Sequence, residues 1–296
     1  MNSKVKELWR AACRNKAAYL YCLPAIVFFL VFKIYPILQS FALSFRQYQF
    51  GPGPYVGFEN YARALEDKIF WQALGNTTII VILVTVLGTV FGYVLALLLS
   101  EEFRGCRLYR TLIFLPVVTS VTVISLVWKI LYHPAPFGFF NSILGNFGLP
   151  PQGWLSNPDQ ALYSLTAPLV WQIMGYNMVI FIAAIRGVDH DLLEAAEAEG
   201  ANFFQKIRYV IIPSTRYAIT MVIVLAVLRT YRIFVPVYVM TFGDPRHRTE
   251  TIVTWMYKQS FRFGDMGYGS ALAVILFLIV MVLTLVQLRL ARESEF

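Results

Sequence analysis

Six long apolar runs separated by shorter polar connections dominate the chain, at 19–45, 73–99, 108–131, 161–185, 209–231 and 267–290. Each exceeds the roughly 20 residues that a helix needs to cross the hydrocarbon of a bilayer. None contains Asp or Glu, as expected where an unpaired carboxylate would be expensive to bury. Strands of a membrane barrel would give only short, alternating segments, so the runs predict helices. The pattern therefore predicts an all-α integral membrane protein with six transmembrane helices.

The connections divide the chain further. A basic tail occupies 1–17, the first span and its external loop 18–72, a core transmembrane domain 73–290, and a second tail 291–296. The segment after the first span carries the turn cluster Gly51-Pro52-Gly53-Pro54 and then an amphipathic stretch from Glu59 toward Trp71, which reads as a surface loop followed by a short helix. Between His133 and Asp159, breakers such as Pro134, Pro136, Gly138, Pro150 and Pro151 preclude a long element, and Phe137, Phe139, Phe140, Phe147 and Trp154 point to interfacial packing. A third outer connection, 242–266, contains Gly243-Asp244-Pro245. Within 187–208, Glu194-Ala195-Ala196-Glu197-Ala198-Glu199-Gly200-Ala201 joins strong helix formers to a glycine stop. A helix, a turn and a second helix would present a compact polar knob, readable as a docking surface or as a solvated loop.

Composition agrees with the pattern. Hydrophobic residues make up 58% of the chain and charged residues 14%, which excludes an ordinary soluble domain. Charge then sets orientation. Lys4, Lys6, Arg10, Arg14 and Lys16 in the first tail, and Arg104, Arg107 and Arg110 after the second run, place both segments in the cytoplasm. An even number of spans returns Arg289 and Arg292 to that side, together with the 187–208 knob. The net charge of +8 thus belongs to positive-inside segments, and no interleaved aromatic and basic motif points to nucleic acid. The first run is too long for a cleaved signal, and Pro24 interrupts its start.

Chemistry is sparse. Cys13, Cys22 and Cys106 have neither metal-ligand nor disulfide spacing, and His133, His190 and His247 lie on different connections, so no metal site is expected. No glycine-rich phosphate loop ends in Gly-Lys-Ser/Thr, so nucleotide energy would have to come from a partner. The absence of an intramembrane carboxylate relay and of an internal repeat argues against a proton-driven carrier. Gly88 and Gly92, four apart, suit close helix packing. An intramembrane hydrolase built on Ser270 would need a base, yet no His lies within a span. A membrane scaffold that only docks a cytoplasmic protein is a further alternative.

The motif Glu194-Ala195-Ala196, Gly200, then Val210, Ile212 and Pro213 resembles the cytoplasmic signature of permease subunits of binding-protein-dependent ABC importers, more narrowly the maltose and glycerol-phosphate type of carbohydrate permease. Glu199 stands where the family usually has Asp, and Ile212 where it usually has Leu. Tyr35-Pro36, Val56-Gly57-Phe58-Glu59-Asn60-Tyr61, Phe114-Leu115-Pro116, Asn177-Met178-Val179-Ile180-Phe181 and Gly267-Tyr268-Gly269-Ser270-Ala271 extend the likeness over nearly the whole chain. The resemblance implies the type I ABC importer permease fold, with Glu194, Ala195, Ala196 and Gly200 coupling to an ATPase. Phe203 and Phe204 would fill an apolar pocket on that ATPase or pack beneath their own helices. It further implies a non-enzymatic pore subunit of the bacterial cytoplasmic membrane, both termini inside and embedded in lipid. Its partners would be a second homologous permease, two ATPase subunits that bind ATP and Mg, an extracytoplasmic solute-binding protein and a saccharide. No cofactor is expected in this chain itself.

Substrate preference turns on Lys33, Lys129, Arg229 and Arg232, cations in or beside the spans with no accompanying acid. At about 1.5 Å per residue, Lys33 would lie roughly 21 Å, and Lys129 and Arg229 about 30 Å, from the cytoplasmic start of their helices. Arg229 and Arg232 would share a face of a continuous helix, and the family often has an acidic residue at the position of Arg232. Two guanidinium forks suit a carboxylate or phosphate, although basic side chains at span ends also snorkel to headgroups. Trp171, Gln172, Tyr176, Asn177 and Tyr231 are candidates to stack on and hydrogen-bond a sugar. The expectation is an oligosaccharide importer, with an acidic, alginate-like oligouronate as one hypothesis for its solute and a neutral sugar or glycerol-phosphate type solute as the alternative.

Overall fold

The computed structural model describes residues 16–293. The tail cations Lys4, Lys6, Arg10 and Arg14, together with Cys13 and residues 294–296, lie outside the described residues. Helix α1 (Lys16–Phe29) continues through a wide π turn at Leu30–Ile34 into α2 (Tyr35–Leu43). Pro36 has no N–H to donate and its ring crowds the preceding turn. The wide turn just before it, in which the Tyr35 N–H reaches the Leu30 carbonyl, absorbs that conflict. No residue of the Leu20–Leu43 span is buried by the rest of the chain.

The external loop folds into a hairpin of β1 (Arg46–Tyr48) and β2 (Pro52–Tyr55), strands too short and proline-rich to show an alternating pattern. Helix α3 (Glu59–Glu66) follows, as the amphipathic stretch predicts. The Asp67 carboxylate then accepts the Ile69 N–H at 2.8 Å and caps α4 (Lys68–Leu99). The second span therefore starts before Ala73, and the expected 72/73 boundary cuts through a helix.

Runs three and five are not straight spans. Helices α5 (Cys106–Val118) and α6 (Val121–Leu131) meet at 99°, with Thr119 and Ser120 both extended. Hydropathy does not register this break, since Thr and Ser interrupt a helix through backbone competition while remaining tolerable in an apolar run. After α7 (Phe139–Asn146) and α8 (Ala161–Arg186) come the loop helices α9 (His190–Ala198) and α10 (Phe203–Lys206). A second π turn, Ile207–Ile211, again precedes a proline, Pro213, in the short α11 (Ile212–Ser214). The Phe203–Ser214 segment then meets α12 (Arg216–Thr230) at 67°. Helices α13 (Val235–Met240), α14 (Ile252–Tyr257) and α15 (Met266–Glu293) complete the chain. Among the described residues, four helices are by themselves long and apolar enough to cross a membrane, or six if each bent pair is one span.

The core is the pairing of α4 with α8. A Cβ on Gly88 would lie 2.2 Å from Ile173 Cγ2, and one on Gly92 2.7 Å from Asn177 Cβ. The glycine spacing seen in the sequence is thus a packing device. Gly175 repeats it for α5, since a Cβ there would meet the Ile113 carbonyl at 2.4 Å. Ile80, Val84, Leu165 and Ile173 form one buried cluster, and Tyr93, Ala96, Met178 and Phe181 a second.

Candidate functional site

At one end of the bundle the 187–208 loop is built by local capping. Asp189 accepts the Asp191 N–H at 3.1 Å to start α9. Gly200, at φ +81°, takes the left-handed conformation that a glycine adopts at little cost. The Gly200 and Ala201 N–H groups return to the carbonyls of Glu197 and Ala196, both at 2.9 Å, which closes the helix as a Schellman motif. Asn202 and Gln205 then cap α10 reciprocally, at 2.9 and 2.7 Å. Lys206 bonds the Glu197 carboxylate across the two limbs. That hydrogen bond, followed by the ammonium charge, holds the Glu197 carboxyl below its ordinary value. The tie is therefore present at neutral pH and is lost only as pH falls through that lowered value.

The expected helix, turn and helix are all present. Glu194, Ala195 and Gly200 are exposed, Ala196 is half-buried, and Glu194 meets His190 at 2.9 Å. Phe203 and Phe204, paired edge to face with ring centres 5.7 Å apart, are 58% and 78% exposed. Of the two readings for these phenyl rings, packing beneath their own helices is not what the chain does.

Arg229 ends the last turn of α12, which stops at Thr230, so Arg232 lies beyond the helix. The two do not share a face of one continuous helix. The turn nevertheless brings both to a cavity of about 440 Å³ with Ile173, Tyr176, Asn177, Leu225, Ala226 and Leu228. A smaller cavity, about 240 Å³, also contains both arginines and Gln172. The Arg229 guanidinium lies 5.8 Å from the centre of the Tyr176 ring. Arg232 Nε donates to the Leu228 carbonyl at 3.0 Å, which leaves its terminal nitrogens for the cavity. Among the described residues neither arginine pairs with a carboxylate. Asn177 is 1% exposed, and its Nδ2 has no hydrogen-bond partner.

The other pathway candidates are elsewhere. Tyr231 is buried with Val81, Ile252 and Leu276, and its hydroxyl is 3.5 Å from Thr78 Oγ1. Trp171 packs on Trp128 at 5.8 Å and lines neither arginine cavity. The bend before α6 removes the straight-helix height estimated for Lys129. Its Nζ donates to the Val239 carbonyl at 2.9 Å, beside a separate cavity of about 790 Å³. Lys33 is exposed on the π turn of the first helix and lines none of these cavities.

The opposite end holds a buried polar network that the sequence did not reveal. Glu250, fully buried, accepts from Lys258 at 2.6 Å and meets His247 at 3.0 Å. Asn76 donates to the carbonyls of His247 and Glu250, at 2.9 and 3.0 Å. Asp67 accepts from Trp255 at 2.8 Å and from the Tyr268 hydroxyl at 2.7 Å, while Arg63 pairs with Asp265 at 2.6 Å. The 242–266 connection is thereby fastened to α4 and α15 and is not a bare loop tip. Lys258→Met leaves the buried Glu250 carboxylate with only His247 beside it and is expected to cost about 3 kcal/mol. Thermal unfolding of the detergent-purified chain should show this loss, and a Glu250→Gln/Lys258→Met double variant should recover most of it. A single variant as stable as the native chain would refute the clamp.

The bundle, the bent helix pairs and the capped loop match the type I ABC importer permease fold. Residues 88–294 match the binding-protein-dependent transport system inner membrane component family. The chain is 30% identical over 287 residues to the arabinooligosaccharides transport system permease protein AraP of Bacillus subtilis (strain 168), covering 96% of this chain and 91% of that protein. Its fold matches a chain of a bacterial ABC transporter involved in import of the acidic polysaccharide alginate, with a TM-score of 0.87 at 21% identity, over 97% of this chain and 99% of that one. A bacterial alginate transporter in complex with an alginate pentasaccharide-bound periplasmic protein matches with a TM-score of 0.86 at 22% identity, over 97% of each chain. This chain belongs to that inner membrane component family, as a carbohydrate permease of binding-protein-dependent ABC importers. Its role is transport and not catalysis.

Proposed function

We propose that this chain forms half of the pore of an ATP-driven importer, that its 187–208 loop receives the stroke of a separate ATPase, and that the solute is an acidic oligosaccharide. The observation that carries the substrate reading is the pair Arg229 and Arg232 on one cavity, without a carboxylate partner among the described residues. Guanidinium forks bind carboxylates bidentately, and the Tyr176 face offers a stacking surface for a pyranose ring. The likeness to the alginate importer supports the fold and not the substrate.

Coupling is supported by exposure. Glu194, Ala195, Phe203 and Phe204 project from a rigid, doubly capped knob. Arg104, Arg107 and Arg110 lie at the same end, and their charge supports a cytoplasmic position for that end. Two ATPase subunits, holding ATP and Mg, would draw together this knob and that of a second, homologous permease. The shared pore would then alternate between facing inward and facing a solute-loaded binding protein. A second reading, a neutral oligosaccharide, is favoured by the likeness to a permease named for arabinooligosaccharides.

ATP hydrolysis by the reconstituted complex, with binding protein and acidic or neutral oligosaccharides of matched length, separates the two. Stimulation by the acidic sugars alone is expected. Stimulation by neutral sugars would retain the importer and discard the acidic preference.

A further inference from the structure

The base of the 187–208 loop is fastened to a helix other than the one that carries it. Arg186, the last residue of α8, places Nε 3.1 Å from the Ser100 carbonyl and a terminal nitrogen 3.6 Å from the Glu102 carboxylate. Ser100 is the C-cap of α4. The last carbonyls of a long helix lack partners within it and carry negative partial charge. Two guanidinium groups answer that need here, since Arg110 Nε donates to the Leu99 carbonyl at 2.9 Å and its terminal nitrogen reaches the Glu101 carbonyl at 3.3 Å. Three successive carbonyls at the end of α4 are thus held from α5 and from α8. The Lys206–Glu197 contact, in contrast, lies within the loop.

We propose that Arg186 is a positioning residue for ATP-driven transport, locking the loop's entry limb to the end of α4. Without the lock, force on the knob can be lost by bending the chain at Gly187. With it, the knob displaces α4 and α8 as one body, already interlocked at Gly88 and Gly92, and α8 carries Tyr176 and Asn177 in the arginine cavity. This role rests on the reading of 187–208 as the ATPase-docking loop. Arg186 and Glu102 are 44% and 73% exposed, and exposed pairs contribute little to stability. The lock acts on motion and not on folding.

Reconstituted complexes bearing Arg186→Ala, Arg186→Lys or Glu194→Arg test it, by assembly yield and by saccharide transported per ATP hydrolysed. Arg186→Ala is expected to assemble and hydrolyse ATP while transport per ATP falls about fivefold or more, the lower end of couplings between distant sites. Arg186→Lys, retaining charge without the fork, should restore part of the ratio. If Glu194→Arg uncouples transport and Arg186→Ala leaves the ratio unchanged, the lock is refuted and the docking reading stands. If neither variant changes the ratio, both fall. A loss of assembly that fully accounts for the lost transport would make Arg186 merely structural and overturn the proposal.

Discussion

Gly200→Val and Phe204→Ala are each expected to leave the permease in the membrane and to remove most transport, for different physical reasons. Gly200 has φ +81°, and a Cβ there would meet nothing within 4 Å. The cost is therefore conformational: a β-branched residue resists the left-handed region by roughly 1–2 kcal/mol. The chain can relieve that strain by opening the turn between α9 and α10, which displaces Phe203 and Phe204 relative to Glu194. Phe204→Ala leaves the turn intact and deletes the more exposed ring. If that ring is an interface anchor, its loss costs about 2 kcal/mol, or roughly thirtyfold in affinity for the ATPase. Co-purification of the ATPase with each variant, alongside uptake in proteoliposomes, separates the cases. Phe204→Ala should lose ATPase at low concentration, whereas Gly200→Val should retain part of it and couple poorly. Native transport by both variants would remove the knob from the mechanism.

What was legible in the chain follows from the range of each interaction. The apolar runs were visible because the bilayer acts on every residue of a span, and the knob because the helix-forming Ala/Glu run and the Gly200 stop act over only a few positions. The bends at Thr119-Ser120 and Thr215 escaped, since a residue's hydropathy does not record its ψ angle. Arg229 and Arg232 were singled out for lacking an acid. It is a turn beyond α12 that brings them together, not the helical spacing first invoked. The clamp at the opposite end was illegible for another reason. Asp67 and Tyr268 lie 201 positions apart, and Asn76 and Glu250 174 apart, so no local pattern links them. Tyr231, chosen as an aromatic near the pathway, was claimed by the core because its side chain faces Ile252 and Leu276.

Reversing both cavity charges, as Arg229→Glu/Arg232→Glu, is expected to abolish uptake of an acidic oligosaccharide while membrane assembly persists. Hydrogen bonds to charged groups are worth about 1.5–3 kcal/mol each, so either arginine replaced singly by Gln should lower acidic uptake by roughly tenfold to a hundredfold. Reversal adds repulsion to that loss. The two arginines should respond differently to milder changes. Arg232 already donates Nε to Leu228, so it offers the solute its terminal edge, and Arg232→Lys would lose both the anchor and the fork. Arg229 faces the Tyr176 ring, and Tyr176→Leu should weaken acidic uptake partly by freeing that guanidinium. Neither change alters the knob, so basal ATP hydrolysis serves as the internal control. Uptake of a neutral oligosaccharide that survives the double reversal would confirm that charge, and not pore shape, was removed. Undiminished acidic uptake would mean that these arginines do not select the solute, and would shift its recognition to the second permease or to the binding protein.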